Sequence, residues 1–162
     1  MEFGIAILLV TTIAGRFPGN NSETIRVQNA QELHRAIHEA DSGDTILLED
    51  GTYSLGSSLW IENKENLAIK GASEDPEKVI LMGGGWDGGK PKDVMVIRGS
   101  GNIAISHLTI TEARSYGIKI EGVDGLRNPW DINISHCRFI DIGVRAVKGT
   151  ATQDRKHMER GS

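Results

Sequence analysis

Apolar residues along this chain follow two periods. Leu33, Ala36, Ile37 and Ala40 form one stripe at helical spacing. Asn29 is suited to cap that helix, Glu32 completes a capping box three residues on, and Gly43 suits the left-handed stop. Residues 27–44 therefore read as a helix and its exit, with the helix at about 29–42. From Thr45 the period falls to two: Ile46 and Leu48 alternate with Leu47 and Glu49, and Asp50-Gly51 supplies a turn. Short β-branched runs follow at 59–61, 67–69, 79–81, 94–97, 103–105, 108–110, 118–120, 132–134, 137–139 and 144–147. Gly, Asn, Asp or Ser bounds each run, and no second helix separates them.

The strand pattern repeats. Asn102-Ile-Ala-Ile-Ser-His-Leu-Thr-Ile-Thr returns as Asp131-Ile-Asn-Ile-Ser-His-Cys-Arg-Phe-Ile, an offset of 131 − 102 = 29 residues. Superposing the two units sets Ile103 over Ile132, Ile105 over Ile134, Leu108 over Cys137, Ile110 over Phe139 and Ile118 over Val147. Alternate positions stay apolar while neighbours such as Ala104/Asn133 and Thr109/Arg138 vary. A unit of this length buries its apolar side only by stacking on the next unit. Parallel strands without helical crossovers, repeating after one circuit, predict an all-β fold: a right-handed parallel β-helix, or solenoid, with the N-terminal helix as its cap. One coil earlier the step is 103 − 67 = 36 residues, and a loop at 83–93 is the expected cause of the extra length.

Composition narrows the function classes. The 162 residues carry a formal net charge of −4 and no basic run, which argues against nucleic acid. Cys137 is the sole cysteine, so it makes no internal disulfide and reads as a small buried side chain. Residues 1–24 have two readings: a signal peptide and linker, or an N-terminal strand. The apolar run at 5–14 has the length of a secretory h-region and is too short to span a bilayer, but no basic residue precedes it. Residues 25–150 form the predicted β-helix domain. The polar stretch at 151–162 reads as the start of a further coil, so that the chain looks cut in a turn, or else as a tail that folds back as a short cap. An uncovered last coil is also a surface for self-association.

Ala30-Gln-Glu-Leu33, Gly43-Asp-Thr-Ile-Leu-Leu-Glu-Asp-Gly-Thr-Tyr53 and the repeated Ile-x-Ile-Ser-His resemble the N-terminal coils of secreted, pectate-lyase-like β-helix proteins, among them alginate and chondroitin lyases. The resemblance covers about residues 25–150. It implies a secreted or periplasmic protein that binds or acts on acidic polysaccharide, by lyase-type β-elimination in a complete enzyme. A non-catalytic glycan-binding or structural β-helix, inactive as this short chain, is the alternative.

The offset of 29 brings Glu112 near Asp141 and Lys119 near Lys148, with Arg114 and Arg145 in the turns between. Glycan lyases need this mixture: carboxylates for a cation, often calcium, and a basic group near the abstracted proton. On that reading Lys119, Lys148 and Arg145 are candidate catalytic residues, and Glu112 and Asp141 are candidate metal ligands. Arg114, Trp86 and Trp130 are candidate substrate contacts. A solvated face with charges alternating for solubility is the competing reading. His107 and His136 stack as a structural ladder. His34 and His38 have chelating spacing, but Arg35 stands where a metalloprotease motif requires glutamate. Gly84-Gly-Trp-Asp-Gly-Gly-Lys-Pro91 approaches a phosphate loop, yet Pro91 replaces the magnesium-binding hydroxyl and no helix follows.

Overall fold

The computed structural model describes residues 22–152. The expectations for residues 1–21 and 153–162 lie outside the described residues. The elements are β1 (Thr24–Val27), α1 (Ala30–Glu39), β2 (Thr45–Leu48), β3 (Gly51–Ser54), β4 (Leu59–Glu62), β5 (Glu65–Gly71), β6 (Val79–Met82) and β7 (Met95–Arg98). They continue as β8 (Gly101–Ser106), β9 (Thr109–Ala113), β10 (Tyr116–Glu121), β11 (Trp130–Ser135), β12 (Arg138–Ile142) and β13 (Arg145–Thr150).

Every strand pair is parallel, and three sheets result. The first runs β1-β2-β5-β8-β11, the second β3-β6-β9-β12 and the third β4-β7-β10-β13. Each coil contributes one strand to each sheet, so the chain is a parallel β-helix, of the right-handed kind that parallel crossovers favour. Like residues stack: Leu67, Ile103 and Ile132 form one inward column, and Ile69, Ile105 and Ile134 the next. Most inward residues of the first three coils are sealed, with Ile46, Ile69, Ile105 and Ile110 at 0% exposure, while Ile120, which meets only Gly149 on the last coil, is partly buried.

The corners between sheets rest on a second regularity. Gly43, Asn66, Asn102 and Asp131 precede equivalent strand positions in four successive coils, and all have positive φ, between 48° and 98°. Only glycine, and at some cost Asn or Asp, takes this conformation readily, and it turns the chain sharply enough to close a coil. The Asn102 amide donates to Asn66 Oδ1 at 2.9 Å, and the Asn66 amide donates to Ser42 Oγ at 2.8 Å. Gly43 therefore serves a coil corner rather than ending the helix. That helix is shorter than 29–42: it runs Ala30–Glu39 and stops at Ala40, whose backbone is extended. Its N-terminus is capped as expected, with the Glu32 amide donating to Asn29 Oδ1 at 2.9 Å; the Glu32 carboxylate accepts from Gln28 N–H at 2.8 Å. Leu33, Ala36 and Ile37 are buried against β1, β2 and β4, so the helix does cap the first coil.

Three further expectations need correction. Val27 ends a strand and does not open the helix. Gly51–Ser54 is a strand, and its Tyr53 is core: the ring is buried and the hydroxyl donates to Val27 O at 2.8 Å and Glu49 O at 2.9 Å. The step between the second and third coils is not one insertion. It is 36 residues in the first sheet (Leu67 to Ile103), 29 in the second (Leu81 to Ile110) and 23 in the third (Ile97 to Ile120). Loops at 72–78 and 83–94 lengthen the second coil, and a loop at 122–129 lengthens the third. The first of these covers Thr109, which is buried and donates to Pro76 O at 2.6 Å despite its outward position.

On the last coil the inward residues Ile132, Ile134, Cys137 and Phe139 are only partly buried, and Val147 is 38% exposed. Burial pushes the Cys137 thiol up from its ordinary value, and it donates to Ser135 O at 3.3 Å. Truncating a side chain costs more the more completely its neighbours enclose it, so Ile105→Ala should destabilise the fold by about 2–5 kcal/mol. Ile134→Ala, one coil further along the same column, should cost less than half of that in urea unfolding.

Candidate functional site

The predicted residues gather around the outer face of the third sheet, in three places. At the corner where the second sheet meets the third, Glu112 and Asp141 occupy equivalent positions. Thr111 pairs with Ile140 and Ala113 with Ile142, and both acidic residues have positive φ, 53° and 52°. The loop at 83–94 lies over this corner. Gly84 and Gly89 touch backbone to backbone, so closely that a Cβ on Gly89 would fall 1.9 Å from Gly84 O. That contact closes the loop, and the Gly84 amide donates to Pro91 O at 3.0 Å. The Gly85 amide donates to Glu112 O at 3.0 Å and ties the loop down. The Glu112 carboxylate sits beside Gly85, the Arg114 guanidinium beside Gly88, and the Trp86 ring edge beside Gly143. Trp86 remains 58% exposed. Trp86, Glu112, Arg114 and the Glu112–Asp141 rung thus form one cluster.

On the sheet face itself, register fixes two outward columns. Trp60, Val96, Lys119 and Lys148 make one; Glu62, Arg98, Glu121 and Thr150 make the other. Glu121 is 8% exposed and holds ion pairs with Lys119 and Arg98. Burial alone would raise its carboxyl, but the hydrogen bonds and charges of Lys119 and Arg98 outweigh that and hold it below the ordinary value. The Arg98 guanidinium also lies 4.3 Å from the centre of the Trp60 ring, a cation–π contact. Lys148 Nζ lies 4.8 Å from the centre of the Tyr116 ring and donates to its hydroxyl at 3.3 Å. Arg145 is not in a turn; it opens β13, opposite Tyr116.

Trp130 stands apart from Trp86. It opens β11, where the third sheet gives way to the first, and is not in a turn. Its ring packs flat over Gly101, where a Cβ would lie 1.9 Å from the indole, and Arg127 stacks on it at 3.7 Å. The two tryptophans therefore mark opposite rims of the third sheet. Arg98, Glu121, Tyr116 and Trp60 were not singled out by the sequence pattern. The alternation Val96-Ile-Arg98 and Lys119-Ile-Glu121 carried the signal, but aligning those strands needs the 23-residue step.

The other candidates resolve simply. The His107 and His136 rings stack 4.7 Å apart and 3° from parallel, as a ladder. Imidazole lone pairs lie in the ring plane, so stacked parallel rings do not converge on one ion. Among the described residues no group of three or more His, Cys, Asp or Glu is placed to hold a metal. The Glu112 and Asp141 carboxylates offer four oxygens at most, against the six to eight that calcium takes.

No family model matches the chain, and no curated protein matches it. Among solved structures, similarity is found to the PL6 family alginate lyase AlyGC, at TM-score 0.47 and 19% identity over 79% of this chain and 18% of that one. It is also found to an alginate lyase from Paenibacillus sp. str. FPU-7, at TM-score 0.41 and 16% identity over 71% and 44%. The chain spans less than half the length of either protein. The β-helix itself rests on the strand pairing.

Glu121 links stability to acid. Its depressed carboxyl stabilises the fold fully above the unfolded value near 4.5, and that stabilisation is lost as pH falls through the lower folded value. Glu121→Gln should remove this part of the acid slope in a pH series of urea unfolding. It should also cost about 2 kcal/mol at neutral pH, because two cations lose their shared acceptor.

Proposed function

We propose that the outer face of the third sheet binds acidic polysaccharide. One observation carries the reading. Arg98, Lys119 and Lys148 share that face with Glu62 and Glu121, on a chain whose formal net charge is −4. An acidic protein that concentrates cations on one face attracts a polyanion there and repels it elsewhere. The loops at 83–94 and 122–129 flank the face, and the exposed Trp86 on one rim offers apolar surface to sugar rings, whereas the Trp130 ring is already taken up by Gly101 and Arg127. The sequence resemblance to polysaccharide lyases agrees, and a secreted or periplasmic setting goes with this reading.

Within it the residues take separate roles. Lys119, paired with Glu121, suits a uronate carboxylate, with Arg114 beside the same chain. Lys148 contacts Tyr116 and has no carboxylate partner among the described residues, so its amine, in the deprotonated form, is the candidate to take the proton next to that carboxylate and to hand it to the departing oxygen. In β-elimination the electron pair released there forms a carbon–carbon double bond while the glycosidic C–O bond breaks, and the departing oxygen is protonated. A divalent cation such as calcium, if bound, would be held by Glu112 and Asp141 and would supply charge neutralisation for a uronate. The exposed edges of β11, β12 and β13 make self-association through that end part of the same proposal.

Binding and elimination separate in experiment. Lys119→Ala with Lys148→Ala should weaken binding to polyuronate at least tenfold at low salt, and raising salt should shrink the difference, read by isothermal titration. Unchanged affinity would mean that the face is merely solvated. Elimination predicts ultraviolet absorbance from an unsaturated uronate, lost in Lys148→Ala. Binding without any rise in absorbance, with or without calcium, leaves the non-catalytic reading.

A further inference from the structure

A concave feature lies at the cap end of the same face. Between α1 and β4 there is a cleft of about 410 Å³ whose lining includes His34, His38, Ser57, Trp60 and Glu62. Its volume is in the range of small-molecule sites. Trp60 is 45% exposed, and its indole is held in place by the Arg98 guanidinium, which is itself fixed by Glu121. An aromatic plate so fixed is ready to take a ring without losing further side-chain freedom.

The electrostatics of the cleft differ from those of the cationic strip. Lys64 lines it too, but its ammonium donates to His38 O and Ala40 O, both at 2.8 Å, and so caps the carbonyl end of α1. Arg98 is committed to Glu121. Burial lowers His34 from its ordinary value, so at neutral pH that imidazole is uncharged. Glu62 is an exposed acceptor at the mouth. The cleft therefore offers an aromatic plate, imidazole, a hydroxyl and one carboxylate, with the Lys64 and Arg98 cations already engaged elsewhere. Such a lining repels a uronate and suits the hydroxyls and apolar face of an uncharged pyranose.

Trp60 lies in the same outward column as Lys119 and Lys148. Two strand spacings, about 10 Å, separate β4 from β10. We propose that the α1–β4 cleft is a subsite for an uncharged sugar, and that the ligand is an acidic heteropolysaccharide in which uronate and neutral sugars alternate, not a pure polyuronate. This rests on the glycan reading of the third sheet and adds to it a reason for discrimination. A chain crossing the strands would set its uronate on Lys119 and Lys148 while a neutral unit stacks on Trp60.

Isothermal titration with three length-matched probes tests the idea: a gellan-derived oligosaccharide of glucuronate and neutral sugars, an oligoguluronate, and a neutral cello-oligosaccharide. The protein should bind the mixed probe at least tenfold more tightly than either other. Trp60→Ala should remove that advantage and leave oligoguluronate binding unchanged, with circular dichroism confirming the fold. Glu62→Gln, which leaves the Trp60–Arg98 stack in place, should weaken the mixed probe several-fold. Equal affinity for the mixed probe and oligoguluronate, or no effect of Trp60→Ala and Glu62→Gln, overturns the cleft while leaving the cationic strip standing. Loss of acidic ligands in the double lysine variant is the separate test of the strip. If no acidic probe binds but the neutral one shifts the Trp60 indole resonance, the strip fails and the neutral-sugar subsite stands.

Discussion

Each coil of this protein is held by the coil beneath it. A ring of inward apolar side chains is half-covered by its own circuit and needs the next to seal it, so the fold depends on like residues lying over like. Where a neighbour exists on both sides, Ile69 and Ile105 are wholly buried; where it exists on one, Ile134 and Phe139 are not. Parallel stacking also demands that every circuit turn at the same places. The column of left-handed residues at Gly43, Asn66, Asn102 and Asp131 meets that demand. The amphipathic helix α1 follows from the same constraint, since the first coil lacks a coil beneath it and Leu33, Ala36 and Ile37 supply the cover.

How much of this could be read from the chain depended on local regularity. The third and fourth coils keep one offset of 29 residues in all three sheets, so their stacking stood out in the sequence. The second coil does not share an offset with the third, because loops at different corners lengthen each, and a single alignment misplaces two of its strands. The first coil was harder still. Gly51–Ser54 alternates Thr and Ser with one tyrosine, and its inward residue is recognisable only once Tyr53 is seen donating to Val27 O and Glu49 O. Of the site, the Lys119–Lys148 and Glu112–Asp141 rungs were legible because they fall inside the regular pair of coils. The Arg98–Glu121–Lys119 bridge was not, because it spans the irregular step.

The bridge changes what the lysine column can do. Two adjacent cations repel, and the Lys119–Lys148 rung alone would strain a sheet edge. Glu121, nearly buried beneath Lys119 and Arg98, offsets part of that repulsion without neutralising the face. The cost is desolvation of a carboxylate, which the two cationic partners outweigh, as its lowered protonation range indicates. Stability and charge display are therefore served by one residue, and its partners separate by role. Lys119 is bound to the network, while Lys148 rests on Tyr116 and answers to no carboxylate among the described residues.

Loop placement points to the same face. In a solenoid, each corner can lengthen without disturbing the stack, so the positions of long loops are free to follow function. Two of the three long corners here, 83–94 and 122–129, stand at the two rims of the third sheet, and each carries or adjoins a tryptophan. Neither is slack: Gly85 ties one to the Glu112 carbonyl, while Asn128 Oδ1 accepts from the Thr152 amide at 3.0 Å in the other. Loops pinned in this way bound the outer face of the third sheet on both rims, with Lys119 and Lys148 between them and the Trp60 cleft at the cap end. An extended ligand lying along that face meets one coil after another, so its recognition would be read in steps of one strand spacing, coil by coil.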